Sequence, residues 1–91
     1  IAKGNSMIGA GIHPGDYVII RRQQTANHKD IVVALLDGKN NLKKLIRNGK
    51  KSILRSCNRD KSLFPDIIPQ EGEELQIQGA AVGVYHRFQA I

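Results

Sequence analysis

The chain has 91 residues, of which 41% are hydrophobic and 24% are charged, and it carries a net charge of +6 at neutral pH. This length predicts one domain with a modest core, residues 1–91, and excludes two, while the composition excludes a disordered chain. No run of about eighteen apolar residues and no signal-peptide pattern occurs, so we expect no membrane anchor.

Most of the sequence predicts β-structure. Residues 7–12 can form a short helical turn, and the Pro-Gly pair within 13–16 predicts a type II turn. Alternating polarity, or many β-branched and aromatic residues, predicts strands at 17–20, 31–36, 41–47 and 52–57. A further strand pattern alternates with period two at 75–78 and continues as an apolar run at 80–85. Residues 58–69 contain two prolines and no periodicity, which predicts a loop.

Two short turns connect the three middle strands. Asp37-Gly38 and Asn48-Gly49 are dipeptides typical of tight hairpins. The strands that they join are therefore predicted to lie side by side as an antiparallel meander. No internal repeat or heptad pattern is present, which favours a single all-β domain.

Positive charge is concentrated in the middle of the chain. Nine of the fourteen Lys and Arg residues fall within residues 39–61, where Asp60 is the only acid. Such a region could attract nucleic acid, but a solvated hairpin face has the same composition. All the Phe and Tyr residues of the chain lie outside this region, so the stacking platform of a single-strand binder is missing. We favour the solvated face.

Cysteine usage and the first residue bear on where the protein acts. The single cysteine, Cys57, cannot form a disulfide within the chain. This usage is typical of a reducing compartment and favours the cytoplasm. The sequence begins at Ile1 rather than methionine, so we expect it to be part of a longer protein.

A serine in the glycine-containing segment 4–11 is a candidate nucleophile. Such a turn can present Ser6 to a substrate, although most serines in turns are only turn residues. Serine needs a base to take its proton, and a lysine can act as that base if burial lowers its pKa from about 10.4. Lys43 and Lys44 are flanked by Leu and Ile, although a Lys-Lys pair more often belongs to a solvated face. Strand alternation predicts that one of them points inward but does not choose between them.

Other catalytic and metal-binding patterns do not occur in the sequence. The three histidines and Cys57 lack zinc-ligand spacing and are interpreted as surface or turn residues. Gly9 and Gly11 do not form a dinucleotide fingerprint, because no helix follows. Residues 4–8 depart from a G-x-S-x-G nucleophile elbow, since Ile8 replaces the second glycine. We therefore expect neither a metal nor a cofactor.

Short motifs spread through nearly the whole chain carry a family resemblance. They are Gly4-Asn5-Ser6-Met7, Gly11-Ile12, Gly15-Asp16, Asp30-Ile31-Val32-Val33-Ala34, Asp37-Gly38, Leu42-Lys43-Lys44-Leu45 and Gly79-Ala80-Ala81-Val82-Gly83-Val84. Together they resemble the catalytic domain of the LexA/UmuD self-cleaving family. The specific part is the Ser-Met pair followed at this spacing by a lysine in a strand. The resemblance implies that Ser6 is the nucleophile and Lys43 the general base, with Lys44 as its solvent-facing neighbour.

The same resemblance implies an all-β fold of compact, strongly bent antiparallel sheets with little helix. It implies a serine endopeptidase whose Ser-Lys dyad cuts a peptide bond of its own polypeptide, without a cofactor. The implied oxyanion donors are backbone N–H groups of Asn5 and Ser6. Further implications are a homodimer formed through the C-terminal strand region and stimulation by a RecA filament on single-stranded DNA during the DNA-damage response.

Two features depart from the family pattern. Gly38-Lys39-Asn40-Asn41 replaces the acidic and Thr-Val residues that usually precede the lysine in the family. The resemblance therefore does not predict the shape of the substrate cleft. In these relatives the cleaved Ala-Gly bond and any helix-turn-helix domain lie upstream of the serine, whereas five residues precede Ser6 here. We therefore expect the cleavage site and the operator-binding domain outside this chain, and no cleavage in cis within it.

Within the family, the resemblance favours a LexA-like transcriptional repressor. The motif at 79–84 resembles LexA, while residues 6–8 and 27–32 resemble UmuD, an accessory protein of a translesion polymerase. A different interpretation is a catalytically silent, basic module for dimerisation or nucleic-acid binding. The upstream sequence would distinguish repressor from accessory protein.

Overall fold

The computed structural model describes residues 1–86 of the chain. Five strands form one antiparallel sheet: β1 Tyr17–Arg22, β2 Ile31–Leu36, β3 Lys39–Asn48, β4 Lys51–Arg55 and β5 Leu75–Tyr85. The only helix in this part of the chain is a 3₁₀ turn, Ile8–Ala10, and it is far too short to cross a membrane. The all-β fold class is confirmed. Residues 87–91, the end of the predicted domain, lie outside the described residues.

The strands lie in the order β1-β5-β2-β3-β4 across the sheet. β2, β3 and β4 form the predicted meander, because each short turn returns the chain along its neighbour. β5 comes from a distant part of the sequence and pairs with β1 on one side and β2 on the other. The strand pattern at 75–78 and its apolar continuation at 80–85 together form this one strand, β5.

Two shifts of register interrupt the pairing of β5 without ending the strand. Against β1 the shift lies between Ile19 and Ile20, and against β2 it lies between Val33 and Ala34. Bulges of this kind bend a strand and increase its twist. At Gly79, which pairs with Val33 beside the second shift, a Cβ atom would lie 2.7 Å from the backbone oxygen of Arg21 and even nearer to the side chain of Ile20. Only glycine therefore allows β1 to pack this closely on β5.

The first hairpin turn lies where the sequence predicts it, and the second lies one residue later. Asp37 and Gly38 both have positive φ, at 49° and 84°, as a two-residue turn between twisted strands requires. The second turn consists of Gly49 and Lys50, because Asn48 is the last paired residue of β3. The predicted turn at Asn48-Gly49 was therefore wrong by one position.

β4 ends earlier than predicted, at Arg55 rather than at residue 57. Cys57 cannot continue the ladder, because its carbonyl accepts a hydrogen bond from Gly9 at 2.6 Å. The predicted loop 58–69 follows, with one return to the sheet. There Ile67 and Leu54 exchange two backbone hydrogen bonds, at 2.8 and 3.0 Å.

The core lies on one face of the sheet. Its buried members are Ala26, Val32, Ala34, Leu45 and Leu54, with Ile67, Leu75 and Ile77 packed against them. Side chains alternate between the two faces of a strand, so Lys43 shares this face with Leu45, two residues further along β3. It also pairs with Val32, which is fully buried. The stem of Lys43 therefore extends along the edge of the core.

Candidate active site

Ser6 lies in a turn that the chain's own backbone holds in shape. This serine turn, residues 4–11, has Gly4 and Gly11 at its two ends, with φ of 72° and 80°. The carbonyl of Met7 accepts hydrogen bonds from the N–H groups of Ala10 and Ile12, at 3.0 and 3.3 Å. Met7 is only 3% exposed, whereas Ser6 is half-buried. Burying Met7 anchors the turn and leaves the neighbouring hydroxyl at its surface.

The structure brings Ser6 and Lys43 together, although 37 positions separate them in sequence. Lys43 Nζ lies 3.2 Å from Ser6 Oγ, and it also donates a hydrogen bond to the Leu42 carbonyl at 3.3 Å. The second contact fixes the direction in which the amine approaches the hydroxyl. Lys44 points to the opposite face of β3, as alternation requires. It is half-buried between β2 and β4, which pair with β3 on either side.

The surroundings of Lys43 favour its neutral form. Burial lowers the pKa of Lys43 below its usual value of 10.5, while the nearby Cys57 thiol acts in the opposite direction. Burial has the larger effect, so the pKa is lowered overall. A larger fraction of this amine is therefore unprotonated at neutral pH than of a solvated lysine.

A cleft of about 480 Å³ opens beside the two side chains. Both Ser6 and Lys43 line it. The apolar residues of its wall are Met7, Ile12, Val18, Ile20, Val33 and Leu42. Residues 1–4 form another part, and so do Asn40 and Asn41 from the segment that departs from the family pattern. The cleft has the size and the mainly apolar lining that suit an extended peptide segment.

The predicted oxyanion donors have no hydrogen-bond acceptor among the described residues. Within residues 1–86, the N–H groups of Asn5 and Ser6 donate to no other protein group. The Asn5 carbonyl, in contrast, is occupied, since Asn58 Nδ2 donates to it at 2.8 Å. A carbonyl oxygen placed beside Ser6 Oγ would find the Ser6 N–H unpaired.

The segment after β4 is hydrogen-bonded to the serine turn, a contact that the sequence did not predict. Asn58 holds the Asn5 carbonyl, and the Cys57 carbonyl accepts the Gly9 N–H at 2.6 Å. A Cβ atom at Gly9 would lie 2.6 Å from the same carbonyl oxygen, so the contact requires glycine. The sequence placed Asn58 in a loop without pattern, and no local signal could have joined it to residue 5.

Asp16 is a buried carboxylate whose role was likewise not foreseen. It is 2% exposed, accepts a hydrogen bond from the His13 N–H at 2.9 Å and lies 2.5 Å from His86 Nδ1. These contacts, led by the His13 N–H, lower the pKa of Asp16. The turn around Asp16 also exchanges two backbone hydrogen bonds with Ala2. Asp16 thereby helps to hold the N-terminal wall of the cleft.

The remaining histidine also has a structural contact. His28 Nδ1 accepts the Arg47 N–H at 3.0 Å, which ties the connection before β2 to β3. In the part of the chain that the structure describes, no three His, Cys, Asp or Glu side chains are arranged to hold a metal ion. The polar side chains that line the cleft belong to Ser6 and Lys43, together with Lys3, Asn40 and Asn41.

Comparisons with known proteins agree on one family. Residues 1–82 match the model of the Peptidase S24-like family. A LexA repressor of Syntrophotalea carbinolica is 40% identical over 87 residues, which are 96% of this chain and 42% of that protein. A LexA repressor of Verrucomicrobium spinosum is 42% identical over 86 residues, which are 94% of this chain and 40% of that protein. LexA repressor 2 of Geobacter sulfurreducens is 40% identical over 85 residues, which are 93% of this chain and 41% of that protein. The chain thus spans about two fifths of the length of these relatives.

Proposed function

The chain belongs to the S24-like peptidase family, and on that basis we propose that it is the autoproteolytic and dimerisation domain of a LexA-like repressor. In this proposal Ser6 is the nucleophile and Lys43 the general base, and they cut a peptide bond in the linker of the same polypeptide. The observation that carries the proposal is the 3.2 Å contact between Lys43 Nζ and Ser6 Oγ beside an apolar cleft.

The first chemical step is proton transfer from serine to lysine. Neutral Lys43 accepts the proton of Ser6 Oγ as that oxygen attacks the carbonyl carbon of the scissile bond. The carbonyl oxygen becomes an oxyanion, which the unpaired N–H groups of Asn5 and Ser6 would receive. The hydrogen bond from Nζ to the Leu42 carbonyl orients the amine, so its lone pair faces the hydroxyl once a proton is lost.

The second step releases the new amine terminus. The Lys43 ammonium returns its proton to the leaving nitrogen as the tetrahedral intermediate collapses to an ester on Ser6. A water molecule, deprotonated by Lys43, then hydrolyses the ester and frees Ser6. A substrate that belongs to the same chain has a high effective concentration, which for well-oriented groups reaches about 10⁵ M or more. A Ser-Lys dyad of low intrinsic activity is then sufficient to cut one bond.

The wider biology of the proposal follows from the similarity to LexA repressors. We place the cleaved bond and an operator-binding domain upstream of residue 1, with residues 1–91 as one catalytic and dimerisation domain of a cytoplasmic homodimer. Cleavage would respond to a RecA filament on single-stranded DNA and separate the DNA-binding domain from the dimer. The LexA names of the relatives favour this branch over the UmuD-like alternative.

The test is cleavage of the full-length protein as a function of pH. We expect cleavage to accelerate as pH rises toward about 10, because Lys43 then loses its proton. Ser6→Ala and Lys43→Ala should each abolish it, whereas Lys44→Ala is the matched control and should still cleave. Retained cleavage in either dyad variant would reject the mechanism. An intact wild-type protein across the whole pH range would favour the silent binding module instead.

A further inference from the structure

Two residues that follow β4, Cys57 and Asn58, contact the serine turn through hydrogen bonds. Asn58 Nδ2 donates a 2.8 Å hydrogen bond to the Asn5 carbonyl, across 53 positions of sequence. The only other protein donor to that carbonyl within residues 1–86 is the Ile8 N–H, at 3.4 Å, near the limit for a hydrogen bond. The Asn58 side chain is therefore the main contact that holds this oxygen.

The Asn5 carbonyl and the Ser6 N–H belong to one peptide unit. A peptide unit is planar, and in the trans form its C=O and N–H point in opposite directions. No peptide bond among the described residues is cis. A hydrogen bond that fixes the direction of the Asn5 carbonyl therefore also fixes the direction of the Ser6 N–H. Rotation of this unit would turn the N–H away from the position of the oxyanion.

The amide of Asn58 is itself held in one orientation. Its Oδ1 accepts the Asp60 N–H at 2.9 Å, which leaves Nδ2 as the atom that faces Asn5. Asp60 Oδ1 in turn accepts the N–H groups of Ser62 and Leu63, at 3.1 and 3.2 Å. The donor to the serine turn is thus attached to a folded loop rather than to a free side chain.

We propose that Asn58 is a positioning residue that orients the Ser6 N–H toward the oxyanion through the Asn5 carbonyl. The proposal rests on the proposed function of Ser6 and Lys43 and adds a group that does not touch the substrate. Asn58 acts on the same peptide unit that carries the donor, whereas Lys43 acts on the hydroxyl. Loss of Asn58 should therefore lower the rate of the chemical step without changing the protonation of Lys43.

The experiment measures the pH profile of cleavage in the full-length protein carrying Asn58→Ala. We expect the plateau rate at high pH to fall about tenfold. This is less than the loss of about a hundredfold or more that follows removal of an oxyanion donor, because the Ser6 N–H is still present but less well oriented. The midpoint of the profile should stay unchanged. If Asn58 only supported the local fold, its loss would admit water to Lys43 and raise that midpoint.

Two further variants control the result. Asn58→Asp keeps the acceptor for the Asp60 N–H but loses the donor to Asn5, so it should also lower the plateau. If thermal melting shows that Asn58→Ala does not fold, the plateau of Asn58→Asp decides the question in its place. Gln70→Ala removes another side-chain amide after β4, one that donates to the Ile68 carbonyl at 3.1 Å, and should leave the rate unchanged.

The outcomes separate this inference from the proposed function. A wild-type plateau in both Asn58 variants, or a raised midpoint in Asn58→Ala, would overturn the positioning role while the dyad stands. Absence of cleavage in the wild-type protein, or cleavage that survives Ser6→Ala, would overturn the proposed function itself. A lowered plateau with an unchanged midpoint in Asn58→Ala, with Gln70→Ala unaffected, supports the inference.

Discussion

The meander of β2, β3 and β4 and the serine turn are held by contacts of different range. In the meander, two-residue turns join strands that are adjacent in sequence, and its registers continue without a shift. The serine turn depends on Lys43, which is 37 positions away, and on Asn58, which is 53 positions away. The frame of the sheet is thus a local structure, whereas the candidate active site is assembled from distant segments. We expect mutations in the meander to change mainly the stability and mutations around the serine turn to change mainly the activity.

The largest effect should come from Lys43→Arg. A guanidinium stays protonated in proteins and cannot accept the proton of Ser6. We expect the cleavage rate of the full-length protein at about pH 9–10 to fall at least about a thousandfold, as when a catalytic base is removed. Circular dichroism should show a retained fold. Lys44→Arg is the control, and a Lys43→Arg rate within about tenfold of wild type would contradict the role of the amine.

In the meander, Leu54→Ala should give the largest loss of stability. Leu54 is fully buried in the core, so its truncation leaves a cavity and should lower the free energy of unfolding by about 2–5 kcal/mol. Urea unfolding of this variant and of Leu63→Ala, whose side chain is 70% exposed, measures the difference. Equal stability of the two variants would show that the core does not lie where we describe it.

Gly9→Ala tests the contact between the serine turn and the segment after β4. The new Cβ would lie 2.6 Å from the Cys57 carbonyl oxygen, so the turn must move. We expect a loss of about 1–3 kcal/mol in the free energy of unfolding, together with slower cleavage. In Gly83→Ala the nearest atom to the Cβ is 3.5 Å away, which is an ordinary contact, and the change should be within about 0.5 kcal/mol. Unchanged cleavage in Gly9→Ala would argue against the coupling.

Lys43→Met should stabilise the fold while it removes activity. Because burial lowers the pKa of Lys43 in the folded state, the charged form weakens folding below that pKa. The weakening fades as pH rises toward the unfolded value of 10.5, where both states lose the proton. We expect Lys43→Met to be more stable than wild type at neutral pH, by no more than on the order of 1 kcal/mol because water partly screens the half-buried amine.

This advantage of Lys43→Met should decline between neutral pH and about pH 10, as measured by urea unfolding at several pH values. Lys51→Met, which removes an exposed lysine charge from β4, provides the reference at each pH. An advantage that grows with pH would contradict a lowered pKa for Lys43.

The smallest effect is expected at the ion pair that attaches the loop after β4 to that strand. Arg55 donates two hydrogen bonds to Asp66, at 3.0 and 3.1 Å, and these lower the pKa of Asp66. The two side chains are 42% and 29% exposed, so Asp66→Asn should lower the free energy of unfolding by no more than about 1 kcal/mol.

The Asp66 contribution should be present above its unfolded pKa of 3.8 and lost as pH falls through the lowered value in the folded state. Urea unfolding at neutral and acid pH, with Asp37→Asn in an exposed turn as the control, measures it. A difference between Asp66→Asn and wild type that persists unchanged in acid would exclude the ion pair as its source.

Much of the meander could be predicted from the sequence because its signals are local. The apolar run 31–36 coincides with β2, and Asp37-Gly38 supplies the two positive φ angles that its hairpin needs. The register of β5 was less predictable, since its two shifts arise from pairing with β1 and β2, which are distant in sequence. The end of β4 was also missed, because Gly9 competes for the Cys57 carbonyl.

What the sequence determined by itself was the class of the fold, the strands of the meander and, through its motifs, the family together with Ser6 and Lys43 as candidates. The tertiary structure decided that an amine at the edge of the core meets that hydroxyl, and it added Asn58 and Asp16 to the surroundings of the cleft. The physical reason is distance along the chain. Turns and strands depend on neighbouring residues, whereas desolvation and hydrogen bonds within the site depend on segments that only folding brings together.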